Sequence, residues 1–132
     1  MQKVIIVSGP VIVEENKVLL DRQGDDRFWK FCGGKQKEGE TLVETAIRRS
    51  KEELGIEIEI LDENPLLFYT KKETPKGILD VILVHFLSKR IGEVVPGEEV
   101  REWDWISLEK LEKEGVAPNI APVLKHFGFI EI

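Results

Sequence analysis

The segment GGKQKEGETLVETAIRRSKEELG, residues 33–55, decides how the chain is read. It opens on a glycine pair, crosses a charged loop and takes up helical periodicity from about Glu40 to Leu54. Val43, Ala46, Ile47, Ser50 and Leu54 recur at i, i+3, i+4, i+7 and i+11, which predicts one buried stripe. Gly55 suits a left-handed C-terminal cap. At about 100° per residue, Glu52 falls opposite the stripe and Glu53 beside it, with Arg49 between them one turn back. Neighbouring carboxylates repel when ionised, and a hard cation such as Mg2+ relieves that repulsion. Acidic pairs are common on exposed helices, so the helix alone favours a solvated face.

The flanking sequence supplies strands. KVIIVSGPVIV (3–13) is apolar and β-branched, with a bend or bulge expected at Gly9-Pro10. VLLDRQ (18–23) returns as a second strand, and FWKFC (28–32) reads as a short aromatic strand running into the glycines. IEIEIL (56–61) alternates. LLFYTKKE (66–73) and ILDVILVHFLSK (78–89) flank a TPKG turn as a long hairpin. VREWDWI (100–106) is a further strand, after which Ser107 caps a helix SLEKLEKEG. Pro118 opens a last helix ending near Lys125. Hairpins around one central helix predict an α+β fold with a mixed sheet, as a single domain over residues 1–132.

At 132 residues, with 42% hydrophobic and 33% charged, the chain has enough apolar surface to fold around one core. Its net charge of -6 leaves no broad basic face for a nucleic-acid polymer. A small anion remains possible, because a cation and a few arginines suffice to hold one. The single cysteine, Cys32, has no internal disulfide partner, which points to the cytoplasm. No apolar run reaches the roughly 18 residues needed to span a bilayer. The first residues read as strand rather than signal peptide.

The spacing Gly34, Glu40, Arg48, Glu52-Glu53, Gly55-Ile56 resembles the Nudix box, G-x5-E-x7-R-E-U-x-E-E-x-G-U with U apolar. Trp29-x-Phe31-x-Gly33-Gly34 is similar to the W-x-F-P-G-G that precedes the box, with Cys32 at the proline. Trp105-Ile106-Ser107-Leu108 looks like the family's W-U-S-L tail. The resemblance implies a Nudix-type α/β/α sandwich that hydrolyses a nucleoside diphosphate linked to another moiety. It implies water attack on phosphorus, helped by Mg2+ or Mn2+. Carried over by position, the Gly33 carbonyl and the carboxylates of Glu52, Glu53 and Glu99 look like metal ligands, with Glu98 an equal candidate for the last. Glu40 and Arg48 look like the pair that fixes the loop against the helix. Arg22, at the end of the second strand, sits where members often place a basic residue near substrate and is equally readable as a surface arginine. Trp29 could stack on a base, though a tryptophan entering a core strand is more often packing.

Two box positions depart from the pattern. Ser50 replaces an apolar residue, a small packing change. Arg49 replaces a glutamate that serves several members as ligand or general base, and an arginine does neither. Three accounts follow. Arg49 touches a substrate phosphate in an enzyme that needs fewer metal ions. Or catalysis is lost and the domain binds a nucleotide as a sensor or partner module. Or Arg49 is a surface residue paired with Glu52 or Glu53. The expected partner is a small nucleotide, without membrane or polymer, and the chain is a monomer or homodimer. No subfamily mark fixes the substrate: a nucleoside triphosphate, ADP-ribose or a nucleotide sugar all remain. The short run before the first strand favours the triphosphate or nucleotide-sugar type.

Overall fold

The computed structural model describes residues 3–131. Eight strands and two helices follow in the order β1 Val4–Val11, β2 Val13–Glu14, β3 Lys17–Gln23, β4 Gly34–Lys35, α1 Leu42–Leu54, β5 Glu57–Ile60, β6 Leu66–Thr74, β7 Gly77–Ile91, β8 Val100–Ser107 and α2 Ile120–His126. The larger sheet runs β4-β1-β7. Along the far edge of the long strand β7 lie β6, beside its first part, and β5, beside its last. β1 and β7 are parallel and the other pairs antiparallel, so this sheet is mixed. A second sheet, β2-β3-β8, is antiparallel throughout.

Strand alternation sends neighbouring residues of β3 into different cores. Val18 and Leu20 join Trp29, Phe31 and the α2 residues Ile120, Val123 and Leu124. Leu19 joins Leu54 and Ile56, at the C-terminal end of α1, with Ile12 and Cys32. Further along α1, Ala46 packs on Val84 and Phe86 of β7. The helices thus cover different faces of the sheets, giving the α/β/α sandwich. Burying each of these aliphatic side chains contributes about 1.5–3 kcal/mol.

Thr41 starts α1 through a capping box, its hydroxyl accepting from the Glu44 amide while the Glu44 carboxylate accepts from the Thr41 amide. The helix therefore begins two residues after the expected Glu40. Gly55 closes it at φ 65°, as its position foretold. The buried face is turned from the expected stripe. Ala46, Ser50 and Leu54 are buried, but so are Thr45 and Glu53, while Ile47 is exposed. The helix is wedged between the large sheet and the loop after Cys32, so its inner face is polar on one side.

Two other expectations change. Residues 28–32 are not a strand: Lys30 exchanges both backbone hydrogen bonds with Asp21, and Trp29 exchanges them with Gly115 and Ala117. The segment stitches two elements together rather than extending a ladder. SLEKLEKEG forms only a 3-10 turn, Leu108–Lys110, because so short a segment with two apolar residues lacks the packing a helix needs. Pro118 precedes α2, and Pro122 sits in its first turn, where a missing N–H costs nothing.

Candidate active site

Four segments meet at the C-terminal half of α1. The first is the loop at Cys32-Gly33, which lies against β1 because Gly9 has no side chain. A Cβ on Gly9 would stand 1.9 Å from the Cys32 carbonyl oxygen and 2.7 Å from the Gly33 Cα. The second is the end of β3. The third is α1 itself. The fourth is the segment between β7 and β8, which is tied to the end of the helix. There the amides of Val95 and Gly97 donate to the carbonyls of Leu54 and Glu53 at 2.8 and 2.9 Å. Those carbonyls have no partner within the helix, so the loop satisfies them and fixes Glu99 nearby. Gly97 is required by this contact, since a Cβ would meet the Glu52 carbonyl oxygen at 2.4 Å.

Glu53 is the hub. Its side chain is 0% exposed. One oxygen, Oε2, accepts from the Gly33 amide at 3.1 Å, the Arg49 guanidinium at 3.1 Å and the Cys32 thiol at 3.4 Å. The other accepts from the Gln23 side-chain amide. A buried carboxylate needs this many donors to remain in the fold.

Arg49 lies on Gly34, whose missing side chain leaves the slot for its stem. Its guanidinium donates to Glu52 at 3.0 Å, Glu53 at 3.1 Å and Glu99 at 2.8 Å. The carboxylates singled out in the sequence are therefore gathered around one arginine. Burial alone would pull the Arg49 pKa down, but Glu53, Glu52 and Glu99 overcome this and hold it above the ordinary arginine value. Hydrogen bonding from Arg49 likewise lowers the Glu52 pKa. Glu99, not Glu98, makes the contact; both line an open depression of about 680 Å³ with Gln23, Gly24 and Arg101.

Arg48 faces the other way. It holds Glu40 at 2.6 Å, reaches the Lys35 carbonyl at 2.8 Å, and touches Glu52 at 2.8 Å. Glu40 also accepts from the Lys37 amide and the Thr45 hydroxyl. These contacts clamp the loop 35–40 onto α1, and with the Arg48 bond as the largest cause they bring the Glu40 pKa down to about 2.

Arg22 and Trp29 sit apart from the carboxylates. Arg22 lies on the α2 side of β3, its guanidinium 4.1 Å from the centre of the Trp29 ring. Trp29 is 6% exposed and belongs to the core beside α2. The next residue, Gln23, points to the α1 side and reaches Glu53. Alternation along the strand thus exchanges the expected contact for its neighbour. Neither Gln23 nor Asp21 had a sequence signal beyond its place in β3, two residues apart on the same face.

Asp21 is buried against Glu53 and Cys32, with a ligating atom of each within 4.8 Å of the others. Its Oδ2 has no hydrogen-bond partner. Burial first, and the Glu53 charge second, keep its carboxyl protonated far above the ordinary value of 3.8. The same two causes raise the Cys32 thiol, which makes it a poor nucleophile. Because Asp21 ionises in the unfolded chain but not in the folded one, its contribution to stability is full below about pH 4 and falls as pH rises. Asp21→Asn is expected to remove that slope. Its melting temperature should exceed wild type at pH 8, with the gap closing at pH 4; an equal gap at both values would mean that Asp21 ionises normally.

A mixed sheet between two helices, with acids from α1 and a distal loop gathered beside a glycine loop, defines a Nudix domain. The chain belongs to the Nudix family: the family described as NUDIX domain matches residues 3–127. It is similar to the mouse protein Nucleoside diphosphate-linked moiety X motif 6, with 32% identity over 111 residues, 81% of this chain. The match spans only 36% of that relative's length. It is also similar to the 8-oxo-dGTP diphosphatase of Escherichia coli (strain K12), 27% identical over 128 residues, covering 94% of this chain and 95% of the other. Among solved structures, the MutT protein from Methanosarcina mazei Go1 aligns at a TM-score of 0.72 with 26% identity, covering 96% and 94% of the two chains. No helix among the described residues is long and apolar enough to cross a membrane.

Proposed function

We propose that the protein is a divalent-cation-dependent pyrophosphohydrolase acting on a nucleoside diphosphate linked to another group. One observation carries this reading: oxygens of Glu52, Glu53 and Glu99 all accept from one guanidinium, that of Arg49, beside an open depression. Three carboxylates around one cationic group are a hard, oxygen-only donor set, which suits Mg2+ or Mn2+ rather than a softer metal. Glu52, Glu53 and Glu99 would hold the ion; Gly33 meets this group through its amide, which donates to Glu53. When bound, such an ion neutralises phosphate charge and lowers the pKa of the attacking water.

The chain's own residues do the rest. Glu99, 43% exposed at its side chain, borders the depression, and the carboxylate oxygen it does not give to the ion accepts the proton of the attacking water. Arg49 offers its paired N–H groups to a phosphate oxygen of the substrate. Arg48 and Glu40 hold the loop so that Gly33 keeps its place, and Gln23 fixes Glu53 from behind. A nucleoside triphosphate substrate is the simplest extension, in keeping with the diphosphatase relative, and the lone Cys32 suits the cytoplasm.

A panel of nucleoside triphosphates, ADP-ribose and nucleotide sugars, each with Mg2+ or Mn2+, tests the reading. The expected result is metal-dependent release of a nucleoside monophosphate from at least one of them. Thermal stabilisation by a nucleotide with no turnover of any would replace it with a nucleotide-binding module. The ion pairing of Arg49 with all three acids is the observation that keeps that second reading alive.

A further inference from the structure

The position of Arg49 has a consequence for the order in which ligands bind. Its guanidinium and a divalent cation would use the same three oxygens. Nη1 lies 3.0 Å from Glu52 Oε1, and Nη2 lies 3.1 Å from Glu53 Oε2 and 2.8 Å from Glu99 Oε1. A magnesium ion needs its oxygens at about 2.0–2.1 Å. The carboxylates cannot close to that distance around an ion while a guanidinium lies among them, and two cations at that separation repel. From this geometry we infer that Arg49 couples the two ligands: a substrate phosphate draws the guanidinium away from the acids, and only then does the divalent cation bind tightly. This inference rests on the pyrophosphohydrolase reading and deepens it.

Neighbouring arginines do not share the role. Arg48 also donates to Glu52 Oε1, at 2.8 Å, but its remaining bonds tie it to Glu40 and to the Lys35 carbonyl. Arg101 is held by the carbonyls of Gly24 and Asp26. Arg49 alone of these has every side-chain hydrogen bond directed to a candidate ligand, and its Nε has no partner at all. Leaving the acids therefore breaks no other hydrogen bond of its side chain. Its stem lies in the slot left by Gly34, and Glu99, one of its partners, borders the open depression. A phosphate there would offer the bidentate acceptor that the carboxylates now provide.

By linkage, a phosphate that raises cation affinity must itself bind more tightly when the cation is present. The cation alone should bind weakly, because it must displace an internal competitor. A family member with glutamate at this position carries no such competitor, so the coupling would be particular to chains with arginine at the site.

The test measures Mn2+ binding by electron paramagnetic resonance, without nucleotide, in wild type and Arg49→Gln. The variant is expected to bind Mn2+ at least about tenfold more tightly, within the 5–150-fold usual for coupling between sites. Inorganic phosphate, corrected for its own Mn2+ complex, should tighten binding to wild type and leave the variant unchanged. A purely structural arginine would not produce that phosphate response. Equal Mn2+ affinity in the two proteins, with no response to phosphate, overturns the coupling but leaves the hydrolase reading standing. If Mn2+ binds neither protein, with or without phosphate, the hydrolase reading falls and the coupling falls with it. Should Arg49→Gln not fold, the wild-type response to phosphate decides: tighter binding supports the coupling and unchanged binding overturns it.

Discussion

Glu53→Gln is expected to lower turnover by at least about a hundredfold, the upper end of what losing even a supporting group costs a metal site. It should also cost about 3–5 kcal/mol of stability, as breaking one side of a buried ion pair does. The reason is the density of donors around this side chain. The Gly33 amide, Arg49, Cys32 and Gln23 all point at it, and it is fully enclosed. A glutamine supplies one acceptor where two are needed and adds an N–H2 group facing other donors. Urea unfolding and steady-state kinetics at saturating Mg2+ check the two effects separately. A destabilised variant with undiminished turnover would make Glu53 a scaffold and move the proposed ligand set to Glu52 and Glu99.

Gly9→Ala is the second large effect. Its Cβ would lie 1.9 Å from the Cys32 carbonyl oxygen, an approach no repacking of side chains relieves, since both sides are backbone. The loop must move off β1 and take Gly33 away from Glu53. The expected cost is about 3 kcal/mol, the top of the usual range for overpacking, with loss of metal-dependent activity in the protein that still folds. Thermal melts and a Mn2+ titration on the same sample distinguish this from simple unfolding. A variant that melts like wild type would show that the loop has a second way to sit on β1.

Much of this was legible in residues 33–55. Helix α1, the Gly55 cap and the acids of the box follow from local periodicity and spacing, which a sequence carries directly. The hairpin around TPKG follows from turn chemistry. What could not be read depends on which surfaces meet in three dimensions. The expected stripe put Ile47 inside, because it assumed one apolar neighbour; the real helix faces a polar loop on one side, so Thr45 and Glu53 are buried instead. Gly9 reads as a bulge, and its contact with a segment more than twenty residues away gives no local mark. Arg22 drew attention by its charge, yet strand alternation turns it toward Trp29 and gives Gln23 the contact with Glu53. Arg49 stood out as a break in a pattern. That it gathers Glu52, Glu53 and Glu99 could be known only once the loop carrying Glu99 was placed.

The anchoring of the 95–99 segment also bears on how a ligand gets in. Its amides cap the end of α1 and should exchange with solvent as slowly as those of the helix, although the segment has no regular structure of its own. A loop held this way does not flap. Admission to the acids is then controlled by the rotamer of one arginine, a nanosecond event once its ion pairs part, and not by a microsecond closure of the chain over its ligand.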